Sequence, residues 1–438
     1  MLPELPQELI ECILIHLCHR TIDLKSCSVV SRAWVPFCRR YLFQNLCLDW
    51  SKEDSSQGNS EAFLLFQDQS PGICRFVLSL TITGSDYHAR NADISLEDFA
   101  LLIDSLENLK AVYLSRVMLS IDSPVQPMTH CRLNHLSIEG LAFKSLSRTQ
   151  SATEEEWMPV THPLISFLRI FSSIEVLSVG ECYITQIAFG GQSLEAIGQT
   201  LMSSTKVGVP RLDLIMPIPT NCAEGTIAFL ECLDLGQLGS LRVVNAYAWQ
   251  IEVIDYIAKR SPNLTQTVLQ LPNFLTLEKG DYWNYGEHQR IAQPTIMRSS
   301  GANCSDWDFL NGWSRSPLLA LPHLRMISIE FYLFGGEEGI HNGIWVIMSL
   351  QDMIGQMRRM VRAFTLRFSI RLYRGPSAFH HISWDPLVSM MEELPMLENL
   401  IFRVMDGPKP ASPEIYDIPR QHFLPLQDRL GIVVDIPS

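Results

Sequence analysis

Apolar residues recur at three- and four-residue steps through the first fifty positions. Leu9, Ile10, Ile13, Leu14 and Leu17 keep this spacing, which predicts an amphipathic helix from about Pro6 to Cys18. Pro6 stands in the first turn, where the missing backbone N–H would be unpaired anyway. A second pattern opens near Thr21 or Asp23, both good caps, and carries Leu24, Cys27, Val30 and Trp34. Pro36 interrupts, and a third pattern follows with Phe37, Tyr41, Leu42 and Leu46. Three such short helices enclose little, and domains of this size are marginal alone. Leu5, Pro6, Leu9, Ile13 and Leu17 cannot all find partners inside so small a core. An uncovered apolar stripe of this kind marks a protein interface.

The order of landmarks resembles an F-box. Leu5-Pro6-x-Glu8-Leu9 opens it, and Ile13, Leu14 and Leu17 continue it. Asp23-Leu24, Val30-Ser31-Arg32-x-Trp34 and Leu42-Phe43-x-x-Leu46 then follow at the family's distances. The resemblance covers residues 2 to about 48. It implies a three-helix module that docks on a Skp-type adaptor and, through it, on a cullin, within a Skp–cullin–F-box (SCF) ubiquitin ligase. It also implies the adaptor-binding residues: Leu5, Pro6, Leu9, Ile13, Leu14, Leu17, Leu24, Val30 and Trp34.

Lys52 to Ser60 is short and polar and reads as a linker. After it, one phrase returns. Ile174-x-x-Leu177-x-Val179-x-x-Cys182 is its clearest copy, and it resembles the core of a leucine-rich repeat. Looser copies centre on Leu80, Val112, Leu136, Leu212, Val244, Thr267, Ile327, Phe364 and Leu400. Their steps run from 23 to 60 residues, longer and less even than those of a regular repeat. Helical stretches precede several copies, at Leu96 to Leu106, Leu194 to Met202, Gln250 to Lys259 and Pro386 to Leu394. Ser261-Pro-Asn-Leu264 and Leu394-Pro-Met-Leu397 read as helix-to-strand turns. Helix, turn and short strand in series predict a solenoid with a parallel sheet on its concave face.

The expected fold class is therefore α/β: a short N-terminal three-helix F-box (1–50), a linker and entry segment (51–72), and an irregular leucine-rich-repeat solenoid (73–438). The longest step contains 277–317, an insertion rich in aromatic and polar residues. A proline-rich tail from about 405 reads as a cap, with a last strand over Leu430 to Ile436.

Composition narrows the function. The 438 residues are 47% hydrophobic and carry a formal charge of −13. The apolar share excludes broad disorder, and the acidic balance argues against a nucleic-acid partner. No apolar run is long enough to cross a membrane. The start lacks the basic region of a secretory signal. Eleven scattered cysteines, without C-x-x-C, fit the reducing cytoplasm or nucleus. No phosphate-binding glycine loop, zinc-protease motif or nucleophile elbow is present. His16-x-Cys18-His19 lacks a second ligand pair for zinc. Cys182 fills a repeat position, as a buried spacer would. These readings point to a non-catalytic protein with no cofactor.

Alternation along the strands sets Thr81, Tyr113, Ser137, Ser178, Asp213, Asn245 and Ser328 on the concave face. Charge picks out one region of it. Between Asp352 and Asp385 there is no acidic residue, yet Arg358, Arg359, Arg362, Arg367, Arg371 and Arg374 occur, with His380 and His381. Arginine forks suit carboxylates and phosphates. Arg367 and Arg403 hold equivalent positions in the last two copies, which predicts that they stand side by side. Arg358, Arg362, Arg367, Arg371 and Arg403 are the candidate substrate-binding residues, for an acidic or phosphorylated protein. The competing reading pairs these arginines with Glu337, Glu338, Glu392 or Glu393 on a solvated face.

The resemblance thus implies a substrate-recognition subunit of an SCF ubiquitin ligase, supplying proximity rather than bond chemistry. The alternative is a leucine-rich-repeat interaction scaffold that recruits no cullin.

Overall fold

The computed structural model describes residues 5–17, 20–49, 71–84, 93–121, 131–145, 163–180, 182–183, 206–215, 227, 230–244, 251–271, 318, 321, 323–334, 346–348, 350–351, 353–355, 364–373, 383–406, 409–410 and 413–435. Two compact units divide the chain. One is Met1–Val209 with Glu231–Asp234, and the other is Pro210–Leu230 with Leu235–Ser438. Each is mixed α/β and built on parallel strands.

The first unit opens with helices α1 (Gln7–Leu17), α2 (Thr21–Val30) and α3 (Val35–Leu42). Pro6 sits just ahead of α1, and its carbonyl accepts from the N–H groups of Leu9 and Ile10. Ser31 is extended and ends α2, and Pro36 lies in the first turn of α3. Ile10, Leu14, Leu24 and Cys38 form the buried centre of this module, with Leu17, Cys27, Trp34, Phe37, Tyr41 and Leu42 packed on it.

Strand β1 (Asn45–Asp49) follows at once, then α4 (Pro71–Cys74), β2 (Ser79–Thr83), β3 (Asp93–Ser95), α5 (Leu96–Asp104), β4 (Ala111–Ser115), β5 (Met118–Ile121), β6 (Arg132–Glu139), β7 (Leu141–Ser145), α6 (Pro163–Leu168), β8 (Ser173–Val179) and β9 (Cys182–Tyr183). β1, β2, β4, β6 and β8 pair in parallel, and β3, β5, β7 and β9 make a second parallel sheet. The register aligns Leu80, Val112, Leu136 and Leu177 in one row and Ile82, Leu114, Ile138 and Val179 in the next. All eight are buried. Between the two sheets the chain turns sharply. Gly84 is so close to Arg116 that a Cβ there would stand 2.0 Å from the Arg116 carbonyl oxygen. Arg116 and Gly140 occupy successive left-handed corners, at φ 54° and 73°.

The sheet therefore starts inside the residues that the sequence pattern assigns to the three-helix module. Asn45–Asp49 alternates polar and apolar, and its pairing with β2 satisfies backbone groups that a helix end would leave open. The linker at 52–60 and the insertion at 277–317 lie outside the described residues, as does the helix predicted over Leu194 to Met202.

In the second unit, β10 (Arg211–Ile215), β11 (Ser240–Val244), α7 (Ile251–Arg260), β12 (Gln266–Gln270), β13 (Met326–Phe334), β14 (Phe364–Tyr373), α8 (Asp385–Glu392), β15 (Leu397–Asp406), β16 (Lys409–Pro410), α9 (Pro413–His422) and β17 (Gly431–Asp435) follow in order. β10 to β15 pair in parallel in chain order. β16 adds to β15 antiparallel, and β17 returns parallel to it. The inner rows are Leu212, Leu241, Thr267, Ile327, Leu366, Leu400 and Leu214, Val243, Leu269, Ile329, Phe368, Phe402. Beneath the last strands Trp384 and Phe423 pack on Phe402, the Phe402 and Phe423 ring centroids lying 5.0 Å apart. The tail after residue 405 thus closes one end of this core.

Two repeat frames differ from the sequence reading. Leu241, not Val244, pairs with Leu212, and Leu366, not Phe364, pairs with Ile327. In both segments apolar residues crowd adjacent positions, so the phrase fits more than one frame; pairing selects the one that keeps inner rows continuous. Within each unit, side-chain amides tie the turn before one strand to the turn before the preceding strand. Asn108 donates to the Arg75 carbonyl at 2.7 Å, and Asn263 donates to the Gly236 carbonyl at 2.6 Å.

Candidate functional site

The first candidate surface lies on α1 and α2. Leu5, Leu9 and Ile13 recur at four-residue spacing and all three are exposed, as are Pro6 and Ile15. The structure divides the nine residues proposed for an adaptor. Leu14 and Leu24 are wholly buried in the module's centre, so they shape the surface from within and touch no partner. Leu17 and Trp34 are half-buried against that centre. Leu5, Pro6, Leu9, Ile13 and Val30 remain available. Val30 is 72% exposed, and two residues join it that the sequence reading missed, Ile22 at 80% and Val29 at 84%. Ile22 and Val29 are seven apart, two helical turns, and so share one face of α2. The signal was there: Leu24 and Cys27 occupy the inward face, which leaves Ile22 and Val29 pointing elsewhere. Side chains of this type are most often buried. Such a concentration on some thirty residues is an unpartnered surface.

The second candidate is the solvent face of the second unit's sheet. Its register places Asp213, Arg242, Val268, Ser328, Arg367, Ile401 and Val433 in one row. The next row runs Ile215, Val244, Gln270, Glu330, Ser369, Arg403 and Asp435. One row further, Tyr332, Arg371 and Met405 align. Arg242 thus holds the place predicted for Asn245, which lies outside the described residues. In the first unit Thr81, Tyr113, Ser137 and Ser178 do align as predicted.

Arg367 and Arg403 share a face but are not opposite one another. Arg367 faces Ile401, and Arg403 faces Ser369. The offset follows from the repeat frame: Leu366, not Phe364, pairs with Leu400, which sets Arg403 two residues along from Arg367. Arg358 and Arg362 lie outside the described residues.

Local contacts separate the arginines. Arg242 meets Glu330 at 3.0 Å, and Arg211 meets Asp213 at 3.3 Å. Gln270 extends the first pair by donating to the Tyr332 hydroxyl at 3.4 Å. Arg371 lies over the Tyr332 ring, 6.0 Å from its centroid. No ion pair joins Arg367, Arg371 or Arg403 to a carboxylate among the described residues. Arg367 is half-buried, and its Nε is shut off from solvent without a hydrogen-bond partner.

Other chemistry is sparse. Among the described residues no group of three His, Cys, Asp or Glu is placed to hold a metal ion, and no helix is long and apolar enough to cross a membrane. Cys18 and His19 lie outside the described residues. Burial pushes the Cys131 thiol up to about 11 and the Cys232 thiol to about 12, so both stay protonated and unreactive at neutral pH. His135 and Ser178 are 3.0 Å apart on the first unit's outer face, with Tyr113 edge-on to the imidazole.

No protein-family model matches the chain, and no curated protein matches it.

Proposed function

We propose that the chain is a substrate-recognition subunit of an SCF-type ubiquitin ligase. The α1–α3 module is an F-box that holds a Skp-type adaptor, and the parallel-strand units are an irregular leucine-rich-repeat solenoid that captures a protein. The observation that carries this reading is the exposed apolar surface: Leu5, Leu9, Ile13, Ile22, Val29 and Val30 are open to solvent on a module whose own centre is only four residues. In water such a surface is costly, and a partner that covers it gains the transfer free energy back. The sheet face, where no ion pair among the described residues engages Arg367, Arg371 or Arg403, supplies the capturing half. The subunit adds orientation and effective concentration rather than bond chemistry.

Co-expression with a Skp-type adaptor, followed by size-exclusion chromatography with mass detection, tests the reading. Co-elution at one-to-one stoichiometry is expected, with the isolated chain prone to self-association. A well-behaved monomer that ignores the adaptor removes the F-box assignment. Adaptor binding that brings no cullin leaves the interaction scaffold.

A further inference from the structure

Strand β17 ends the second unit's sheet, and among the described residues it pairs with β15 alone. Its other edge offers backbone N–H and C=O groups to any strand laid beside it. Natural edge strands are commonly guarded by a lysine, a proline or a bulge. Gly431-Ile-Val-Val-Asp435 has no lysine or proline, and its register with β15 runs unbroken. The side chains are open along the same edge. Ile432 and Val434 continue the inner rows of Leu400 and Phe402, yet they are half-buried where Leu400 and Phe402 are wholly buried. Val433, on the opposite face beside Ile401, is 49% exposed. Leu424, in the 3-10 turn that precedes the strand, is exposed as well.

A strand that completes this edge must bring apolar residues to both faces and no charge against Val433. β17 itself meets that requirement. An antiparallel second copy, related by a two-fold axis at Val433, sets Ile432 against Val434 and Val433 against Val433. The inner rows then run Leu400, Ile432, Val434, Phe402 without a break, and the central outer row runs Ile401, Val433, Val433, Ile401. The strand's one charged residue, Asp435, falls opposite Gly431 of the second copy, and in its own copy the register places Arg403 beside it. Gly431 is a position closed to side chains, because a Cβ there would stand 2.7 Å from Asn399 Oδ1. No acidic residue therefore opposes another. Moving the axis to Val434 sets Val433 against Asp435 and brings Pro437, which has no N–H, into the ladder. Moving it to Ile432 sets Val434 against Leu430, which is already buried in its own unit. Only the axis at Val433 pairs every residue of both strands.

We infer that the chain associates with a second copy of itself through β17, edge to edge and antiparallel, in an isologous dimer. Two strands of five residues cover less than a standard interface, so the dimer exchanges with monomer. The inference is independent of the adaptor and of the substrate.

The test is sedimentation velocity of the full chain over a series of concentrations. The unaltered chain is expected to pass from monomer to dimer. V433K and V433E each set like charges opposite one another across the axis, and each should weaken the dimer at least tenfold. Mixed in equal amounts, the two variants should dimerise again, because unlike charges then meet. An unaltered chain that stays monomeric throughout overturns the inference. So does association that V433K leaves unchanged and Leu9→Asp with Ile13→Asp removes, because it then belongs to α1. A mixture that dimerises no better than either variant alone overturns the pairing about Val433. If the charged variants lose their thermal transition, V433C decides. Residues directly opposite on antiparallel strands stand about 4.5–5.5 Å apart at Cα, within disulfide reach. Oxidation with glutathione disulfide should then join the two introduced thiols, as located by mass spectrometry of the cross-linked peptide, and absence of that link refutes the inference.

Discussion

Leu9 and Leu14 lie five residues apart on one helix, and the structure assigns them opposite duties. Leu14 is fully buried, whereas Leu9 is 51% exposed and Ile13 39%. Burying such a side chain completely is worth about 1.5–3 kcal/mol, so a partner that covers the exposed remainder gains about 1 kcal/mol from each. Leu9→Asp with Ile13→Asp forfeits both gains. It also presents two polar groups to an apolar partner, at a further cost of at least about 2 kcal/mol each. The expected loss is about 6 kcal/mol, roughly four orders of magnitude in affinity. The free chain loses far less, about 0.5 kcal/mol of helix propensity per site. Leu14→Ala is the opposite case: it opens a void in a four-residue centre and should cost about 2–5 kcal/mol of module stability. Calorimetric titration with a Skp-type adaptor, beside thermal unfolding of each variant, separates the two. Affinity retained within tenfold in the double Asp variant refutes the docking surface. So does a double Asp variant that unfolds like Leu14→Ala, because the positions would then be core.

Three further outcomes follow from the packing. Thr267 is fully buried in an inner row between Leu241 and Ile327, and its hydroxyl has no partner; Thr267→Val should raise stability by about 1–3 kcal/mol in urea unfolding. Arg429 donates to the Leu394 carbonyl at 2.9 Å and to the Met391 carbonyl at the end of α8; Arg429→Ala should cost about 1.5–3 kcal/mol and lower the melting temperature. Burial lifts the Cys232 thiol from 9.0 to about 12, so between those values the unfolded chain loses a proton that the folded chain keeps. Stability should therefore be intact below pH 9 and fall as pH rises toward 12, and Cys232→Ala should flatten that slope in unfolding curves taken from pH 8 to 11.

Much of the fold could be read from alternation and helical spacing alone. The three N-terminal helices, the helices at Leu96–Asp104, Ile251–Arg260 and Asp385–Glu392, and the strand rows centred on Leu80, Val112, Leu136, Thr267 and Leu400 lie where the pattern puts them. The failures share one cause. Around Leu241-Arg-Val-Val244 and Phe364-Thr-Leu-Arg-Phe-Ser-Ile, apolar residues occupy several possible inward positions, so a local phrase has more than one satisfactory frame. Only pairing with the neighbouring strand decides, and the frame it selects, Leu366 opposite Leu400, sets Arg403 beside Ser369 and not Arg367. The second sheet of β3, β5, β7 and β9 escaped notice because its strands are two to five residues long, too short to show a period.

The α1 surface shows a different limit. Leu9, Ile10, Ile13, Leu14 and Leu17 span more of the helix than one inward stripe needs, so the surplus of apolar residues was visible in the sequence. Which of them formed the surplus was not. Ile10 and Leu14 face Leu24 and Cys38, and a centre that small has room for no more from α1 than these two and part of Leu17. Packing volume therefore divides the helix: adjacent residues Leu9 and Ile10, and again Ile13 and Leu14, fall on opposite sides of the boundary between exposed and buried. The same volume argument selects Ile22 and Val29 on α2, which no motif singled out. A module that kept all of these inside would need a second layer, and the chain instead proceeds directly into β1.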